Sequence, residues 1–251
     1  MILIVIIILY CLIIFHMKFW YPELRWDWNK IDTSKIKFPS SFFWGTATAS
    51  HQVEGNCINN NWFKWENNKD KNNEYRIKDN QVAGIACDHW NRYKEDIHLL
   101  KKLGVSHYRL SLEWSKIEPT KGEYNQEAIQ HYINVVDELI SHNITPAVTL
   151  HHFTNPIWFD KLGGFENESN IIHFTTFSNH IFSILSDRVK LWCTINEPEV
   201  YSVMGYFNGV FPPGKKNPQL TVNVLKNLLI AHTKTYHLLK KSHNGDTCQI
   251  G

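Results

Sequence analysis

From residue 88 onward the sequence alternates between two hydrophobic patterns, and this alternation restricts the fold more than any other feature. Apolar runs without a helical period predict strands at His107–Trp114, Ile144–Leu150 and Val189–Ile195. Asp88 is expected to cap the first of four helices, which Gly104 ends. The four apolar helix faces consist of Trp90, Tyr93, Ile97 and Leu100; Ile129, Tyr132, Ile133, Val136 and Ile140; Ile171, Phe174, Phe177, Ile181 and Leu185; and Leu225, Leu228, Leu229, Tyr236 and Leu239. Such alternation predicts an α/β fold with a helix-covered parallel sheet.

Two flanking segments extend this pattern. Phe42–Ala49 is expected to form an earlier strand, and Gln249–Gly251 the start of a fifth. No Gly-rich loop follows a strand, so a nucleotide-binding doubly wound fold is weakly supported. Polar residues follow or end four strands: Gln52 and Glu54, Arg109 and Glu113, His151 and His152, Asn196 and Glu197. Because (β/α)8 barrels build their active sites at that end of the strands, we predict about the first four βα units of a TIM barrel and the start of strand 5.

Composition excludes several classes of function. The formal net charge of +2 and the absence of basic runs argue against a nucleic-acid partner. The five cysteines contain no CxxC pair, and the 14 histidines show no metal-binding spacing, so we expect buried thiols and neither a metal nor a cofactor. The 34 aromatic residues (Trp 10, Tyr 10, Phe 14) are interpreted either as core or as a stacking surface for a sugar. The Asn-rich stretch 56–81 is expected to be a surface loop.

The N-terminus is expected to be separate from the main domain. Residues 2–15 are apolar throughout, and Lys18 and an aromatic group follow them. We therefore predict a hydrophobic anchor or signal-like segment over residues 1–21, with the main domain over residues 22–251. The basic residues follow the segment, which favours a membrane-associated protein whose main domain is cytoplasmic. The alternative is a soluble cytoplasmic protein that starts at Met17.

The strand Val189–Ile195 ends in Asn196, Glu197 and Pro198, which bring an amide and a carboxylic acid to the end of the sheet. Pro198 lacks an N–H group and disfavours helix at Glu197, so strand pairing is expected to stop there and the acid to face a cleft. Each polar cluster is weak alone: His151 and His152 are equally interpretable as core histidines, Arg109 as a salt-bridge arginine and Asn-Glu-Pro as a turn. Their ordered occurrence at strand ends favours a site for sugar hydrolysis.

Five ordered motifs resemble the N-terminal half of glycoside hydrolase family 1, the retaining β-glucosidase and β-galactosidase type. The resemblance begins at about Phe38 and continues to the last residue. The motifs are Phe42–Gly55, Asp88–Asp96, Tyr108–Ile117, Leu150–Phe153 with Pro156, and Thr194–Pro198.

The resemblance implies a role for each site residue. Glu197 would be the acid/base, which protonates the leaving oxygen and then deprotonates water. Arg109 would orient the nucleophilic carboxylate. The substrate-binding residues would be Gln52, His152, Asn196 and Phe153: Asn196 would bind the 2-hydroxyl, and Phe153 replaces a tryptophan of many members. The partner would be a β-linked glycoside.

The resemblance also implies a second carboxylate in a Glu-Asn-Gly motif, and that string does not occur. Retaining hydrolysis needs two carboxyl groups about 5–5.5 Å apart, so we expect this chain alone to hydrolyse no glycoside. Three hypotheses follow: a β-glycosidase polypeptide without its nucleophile half, an inactive or weakly sugar-binding remnant, and a half-barrel that pairs with a copy of itself or with a separately encoded C-terminal half. Sugar preference and oligomeric state stay open.

Overall fold

The computed structural model describes residues 2–21, 27–70 and 72–251. Two compact units result, residues 1–42 and 43–251. The predicted boundary between residues 21 and 22 adjoins residues 22–26, which lie outside the described residues, and it stays a prediction.

The first unit contains one long helix, α1 (Ile2–Trp20). Its stretch Leu3–Trp20 has a mean hydropathy of 2.4, and none of it is buried. The helix is therefore long and apolar enough to cross a membrane, a property that signal sequences share. Two short 3₁₀ turns follow at Trp28–Lys30 and Thr33–Lys35, the second capped by the side chain of Asp32.

The second unit contains one five-stranded parallel sheet with the strands in chain order. The strands are β1 (Gly45–Ala47), β2 (His107–Ser111), β3 (Thr145–His151), β4 (Leu191–Ile195) and β5 (Gln249–Ile250). Ala47 pairs with Arg109, and His151 pairs with Ile195. Sequential parallel order with helical crossovers is the arrangement of part of a (β/α)8 barrel.

Long helices connect the strands, and shorter ones follow the strand ends. The helices are α2 (Ser50–Val53), α3 (Asn61–Glu66), α4 (His89–Leu103), α5 (Trp114–Ile117), α6 (Gln126–Ser141), α7 (Ile157–Lys161), α8 (Ile171–Leu185), α9 (Pro198–Ser202) and α10 (Pro218–Lys241). The remaining turns are 3₁₀ helices at Lys78–Asn80, Gly164–Glu166 and Glu168–Asn170, and a π-helix at Val203–Phe207. The four predicted long helices are confirmed as α4, α6, α8 and α10.

Several local predictions were wrong. β1 has three residues, and Phe42, Phe43 and Trp44 before it are exposed, because β1 pairs with β2 alone. The predicted second strand ends at Ser111, since Trp114 begins α5. Asp88 sits at the cap position of α4 in a left-handed conformation, and its carboxylate accepts a bond from the Asn91 side chain instead of capping the helix.

The buried helix faces also differ from the prediction. Leu229 and Ile140 are exposed, although both lie at predicted core positions. The buried face of α10 consists of Thr221, Val224, Asn227, Leu228, Ala231, Thr235 and Leu239. Polar residues therefore share this face with apolar ones: Thr221 bonds to the Asn217 carbonyl one turn earlier, and Asn227 bonds to the distant Phe165 carbonyl. A purely hydrophobic pattern does not detect such positions.

The core beneath the helices is built around Trp114. Its indole contacts Trp158, Phe159, Phe174 and Phe177 at centroid distances of 5.6, 4.8, 5.9 and 4.8 Å. The indole N–H donates to Glu118 Oε2 at 2.7 Å. Burial raises the pKa of Glu118, so this bond supports a carboxyl group in an apolar setting. Part of the aromatic content thus forms core, as one of the two interpretations of the composition predicts, whereas another part is exposed.

We expect Trp114→Ala to lower the free energy of unfolding by about 3–5 kcal/mol, because it empties a fully packed site and removes the partner of Glu118. Urea unfolding followed by circular dichroism measures the change. Phe207→Ala is the control, since Phe207 is 53% exposed and should change stability by less than about 0.5 kcal/mol. Equal stability of the two variants would contradict this account of the core.

Candidate active site

The predicted site residues come together at the carboxyl-terminal end of the sheet. Arg109 lies in β2, His152 directly follows β3, and Asn196 and Glu197 directly follow β4. Gln52 lies in α2, three residues after the short turn that leaves β1. The parallel register places these ends side by side, as the sequence predicted.

Arg109 connects three strands. Its Nε donates to Thr149 Oγ1 of β3 at 2.8 Å, and its Nη2 donates to Asn196 Oδ1 at 2.7 Å. The same Nη2 lies 3.5 Å from Cys193 Sγ in β4. The bond to Oδ1 fixes the orientation of the Asn196 amide, whose NH₂ group is left to donate elsewhere. Asn196 itself is 7% exposed, and its backbone N–H donates to the His151 carbonyl.

Glu197 is exposed, and its backbone is left-handed, with φ 44° and ψ 63°. As predicted, strand pairing stops before Pro198, which occupies the first turn of α9. The Glu197 carbonyl accepts the backbone N–H of Tyr201. A non-glycine residue in this conformation costs about 1–3 kcal/mol and is typical of functional sites. Contrary to the prediction, the described residues form no cleft around the acid, since the Glu197 side chain faces open solvent.

The two adjacent histidines have different environments. His151 is 1% exposed, and its Nε2 donates to Asn155 Oδ1 at 2.9 Å, so it belongs to the core. His152 is half-buried, and its Nδ1 is buried without a partner among the described residues. Burial, and for His152 also the charge of Arg109, lowers the pKa of both histidines to about 4. His152 is therefore a neutral ring at neutral pH, able to donate from one nitrogen and accept at the other.

A cleft of about 340 Å³ adjoins His152 and contains three of the four predicted substrate-binding residues. Its lining consists of Ala49, His51, Gln52, Trp62, Glu66, Ala83, His152, Phe153, Thr154 and Phe211. Phe153 has a left-handed backbone, with φ 71°, and its ring lies 5.9 Å from that of Phe211. Trp62 contacts Phe211 edge-on at 4.9 Å. Aromatic walls with a few directed polar groups are typical of a small-molecule site, and a stacking surface for a sugar stays a prediction here.

Sequence reasoning missed His51, Trp62, Glu66 and Phe211. Trp62 and Glu66 lie within residues 56–81, which were predicted to be a surface loop, and that prediction was wrong for α3. Asn60 caps α3 by accepting the Phe63 N–H, and Trp65 and Glu66 are buried. The signal was present: an Asn cap followed by Trp62, Phe63 and Trp65 is the start of an amphipathic helix.

Glu54 and Glu113, also predicted near this end, are structural. Glu54 accepts bonds from Lys116 Nζ at 3.0 Å and from the Tyr132 hydroxyl at 2.7 Å. Glu113 accepts bonds from the Ser50 and Ser115 hydroxyls at 3.0 and 2.6 Å. Both carboxyl groups are buried, and desolvation raises the pKa of Glu54. These bonds hold the segment after β1 against the segment after β2.

One group of potential metal ligands lies beneath the cleft, where ligand atoms of His51, Cys57 and Glu113 lie within 4.8 Å of one another. The Glu113 carboxylate already accepts the two serine hydroxyls. Burial raises the pKa of the Cys57 thiol, so it stays protonated at neutral pH, whereas metals bind the thiolate. The other cysteines are mixed: Cys11 and Cys87 are exposed, contrary to the expectation of buried thiols.

Comparison with known proteins finds beta-glucosidases among the relatives of this chain. The chain is 38% identical over 211 residues to beta-glucosidase A of Acetivibrio thermocellus, which covers 83% of the chain and 47% of that protein. It is 37% identical over 227 residues to the cytosolic beta-glucosidase of Homo sapiens, which covers 84% of the chain and 46% of that protein. The chain thus spans about half the length of the curated relatives it matches.

A solved structure of the beta-glucosidase from Thermotoga maritima in complex with glucoimidazole overlaps 86% of this chain and 49% of its own, with a TM-score of 0.80 and 35% identity. This overlap confirms the predicted partial (β/α)8 barrel. The model of the family described as Glycosyl hydrolase family 1 matches residues 34–251. Since that match covers well over half of the chain, this protein belongs to glycosyl hydrolase family 1.

Proposed function

We propose that this chain is the acid/base-bearing part of a β-glucosidase and binds β-linked glucosides at the carboxyl-terminal end of its sheet. The observation that carries the proposal is the pair Asn196 and Glu197 after β4, with Asn196 held by a bond from Arg109, at the same end of the sheet as the cleft that contains Gln52 and His152. The names of the relatives, beta-glucosidases from bacteria and from Homo sapiens, favour the same substrate class. They favour a hydrolase over an inactive remnant or a sugar-binding module.

Each residue has a proposed role that follows from its environment. Glu197 protonates the leaving glycosidic oxygen and later deprotonates water, which its exposed side chain can reach. The NH₂ group of Asn196 donates to the 2-hydroxyl. Gln52 and the neutral ring of His152 bind further hydroxyls, and Phe153 forms an apolar wall. Arg109 is proposed to orient the second carboxylate.

The two-carboxylate mechanism also limits the activity that we expect of this chain by itself. Residues 1–251 contain no Glu-Asn-Gly string, and a retaining enzyme needs a nucleophilic carboxylate about 5–5.5 Å from the acid. We therefore expect the purified chain to bind an aryl β-glucoside without turning it over. A partner half encoded elsewhere stays a prediction with no support beyond the sequence.

The role of Glu197 is testable in a chimera in which residues 43–251 replace the matching segment of the Thermotoga maritima enzyme. We expect Glu197→Gln to lower kcat/KM for an alkyl β-glucoside by at least about 100-fold, because an alkoxide leaving group needs a proton. For a dinitrophenyl β-glucoside the loss should be much smaller, because that group leaves without protonation. Steady-state kinetics with both substrates measures the difference.

Glu199→Gln is the matched control, since Glu199 is an exposed glutamate of α9. It should leave both rates unchanged. Equal losses for the two leaving groups in Glu197→Gln would contradict a role as general acid and would indicate a binding or structural role instead.

The contact between Arg109 and Asn196 gives a second prediction. We expect Arg109→Lys to weaken binding of methyl β-glucoside to the full chain by about tenfold, because one ammonium cannot reproduce the separate bonds to Thr149 and Asn196. Ligand-observed NMR titration measures the affinity. Arg92→Lys, at an exposed arginine that pairs with Glu95, is the control and should bind as the unaltered chain does. Unchanged affinity in Arg109→Lys would refute the positioning of Asn196.

For localisation, we propose that α1 anchors the protein to a membrane. Its 18-residue apolar stretch Leu3–Trp20 is about 27 Å long at 1.5 Å per residue, close to the hydrocarbon thickness of about 30 Å. Lys18 and the exposed rings of Phe19 and Trp20 form its C-terminal end, and the exposed ring of Tyr21 follows, as at a membrane–water interface. We propose a cytoplasmic main domain, in keeping with the basic Lys18 in the last turn of the helix and with the cytosolic relative. A signal sequence or a start at Met17 are the alternatives.

Replacing Ile7 and Ile8 with lysine should move the expressed full chain from the membrane pellet to the soluble fraction. Each lysine at the centre of a spanning helix costs about 2.5–3.5 kcal/mol of insertion. Replacing the same residues with leucine is the control and should leave the protein in the pellet. An unaltered chain that is already soluble after centrifugation would refute the anchor.

A further inference from the structure

The proposed function leaves one buried carboxylate of the cleft without a role. Glu66, the last residue of α3, is 6% exposed and lines the cleft with Gln52, His152 and Phe153. Its Oε2 accepts the backbone N–H of Ala83 at 3.1 Å. Its Oε1 is buried and has no hydrogen-bond partner among residues 2–21, 27–70 and 72–251. An unpaired acceptor of this kind is costly to bury, and the cost is recovered when a ligand donates to it.

The orientation of this carboxylate is fixed by a chain of bonds. Asn60 Oδ1 accepts the Phe63 N–H at 2.8 Å, so its Nδ2 is the group that faces His51 Nδ1 at 3.1 Å. His51 Nδ1 then accepts, which leaves the proton of the neutral ring on Nε2. That nitrogen lies 3.4 Å from Glu66 Oε2. Two donors therefore face Oε2, and Oε1 is the oxygen left for another group.

The rest of the lining suits a polar ring. None of the lining residues is a lysine or an arginine, so no cation there competes for Glu66. The rings of Trp62, Phe153 and Phe211 provide apolar walls. Sugar rings present C–H groups to such walls and hydroxyl donors at their edges. A protonated amine on the same ring would bond to a carboxylate more strongly than a hydroxyl does, because the bond is charge-assisted.

We propose that Glu66, positioned by His51 and Asn60, is a further substrate-binding residue of this cleft, whose Oε1 accepts a hydrogen bond from a hydroxyl or protonated amine of the bound sugar ring. The inference rests on the proposed function, because the ligand is the same β-glucoside. It adds a carboxylate acceptor on the side of the cleft formed by α3, and it makes the cleft selective for donor-bearing, neutral or cationic rings.

The test compares methyl β-glucoside with analogues in which an amino group replaces one hydroxyl at a time. The full chain is used in detergent, and affinities are measured by ligand-observed NMR titration. We expect at least one amino analogue to bind about tenfold more tightly than the parent glucoside, and Glu66→Gln to abolish this gain. Amino analogues that all bind no better than the parent, or a gain that persists in Glu66→Gln, would overturn the inference.

Glu118→Gln is the matched control, because Glu118 is an equally buried glutamate, 4% exposed, that does not line the cleft. It should keep the full gain. Circular dichroism melting verifies the fold of both variants, and if Glu66→Gln does not fold, the analogue series on the unaltered chain still decides.

Gln52→Ala separates this inference from the proposed function. If Gln52→Ala weakens binding of the parent glucoside but no amino analogue binds more tightly than the parent, the role of Glu66 alone is overturned. Absence of any glucoside binding to the unaltered chain overturns both proposals.

Discussion

The side chain of Arg109 is the contact on which the carboxyl-terminal end of the sheet depends. It extends from β2 to Thr149 in β3 and to Asn196 after β4, so one guanidinium fixes the relative position of three strand ends. Among the described residues its partners are neutral oxygens and a thiol, and no ion pair includes it. A half-buried cation whose partners are all neutral can still attract an anion. That property agrees with the proposed role of Arg109 in orienting a second carboxylate.

The same charge contributes, after burial, to the chemistry of His152. Burial and Arg109 together lower its pKa to about 4, so the ring stays neutral and one nitrogen remains an acceptor. In the cleft Glu66 provides an acceptor, and none of the lining residues is a lysine or an arginine. The site therefore combines a positive side at the sheet, carried by Arg109, with an acceptor side at α3. A ligand rich in hydroxyl groups, which both donate and accept, satisfies the two sides at once.

The alternation of strand and helix patterns in the sequence predicted the order of the strands. The residues at the strand ends were predicted together because parallel strands bring their carboxyl-terminal ends to one edge of the sheet. The residue pattern alone did not separate His151 from His152, since which of two neighbouring side chains enters the core depends on how β3 ends; the family resemblance selected His152. The residue pattern also missed Glu66 and Trp62, because the asparagines around them are typical of loops. Asn60 and Asn61 are instead buried and bonded, Asn60 to the Phe63 N–H and Asn61 to the Asn155 N–H. The bond between Asn61 and Asn155 joins residues far apart in the chain, and such a bond leaves no periodic signal.

The backbone of Glu197 is fixed more tightly than its side chain. Asn196 is bonded to the His151 carbonyl on one side, and the Tyr201 N–H bonds to the Glu197 carbonyl on the other. These bonds, with Pro198 in the first turn of α9, hold an unfavourable left-handed conformation in place. Holding this backbone conformation costs free energy, and it fixes the direction in which an exposed acid leaves the backbone. A structural turn would gain nothing from a glutamate here, since glycine or asparagine adopts this conformation at lower cost. A glutamate at this position therefore agrees with the proposed acid/base role of its carboxyl group, whereas the turn alone does not require it.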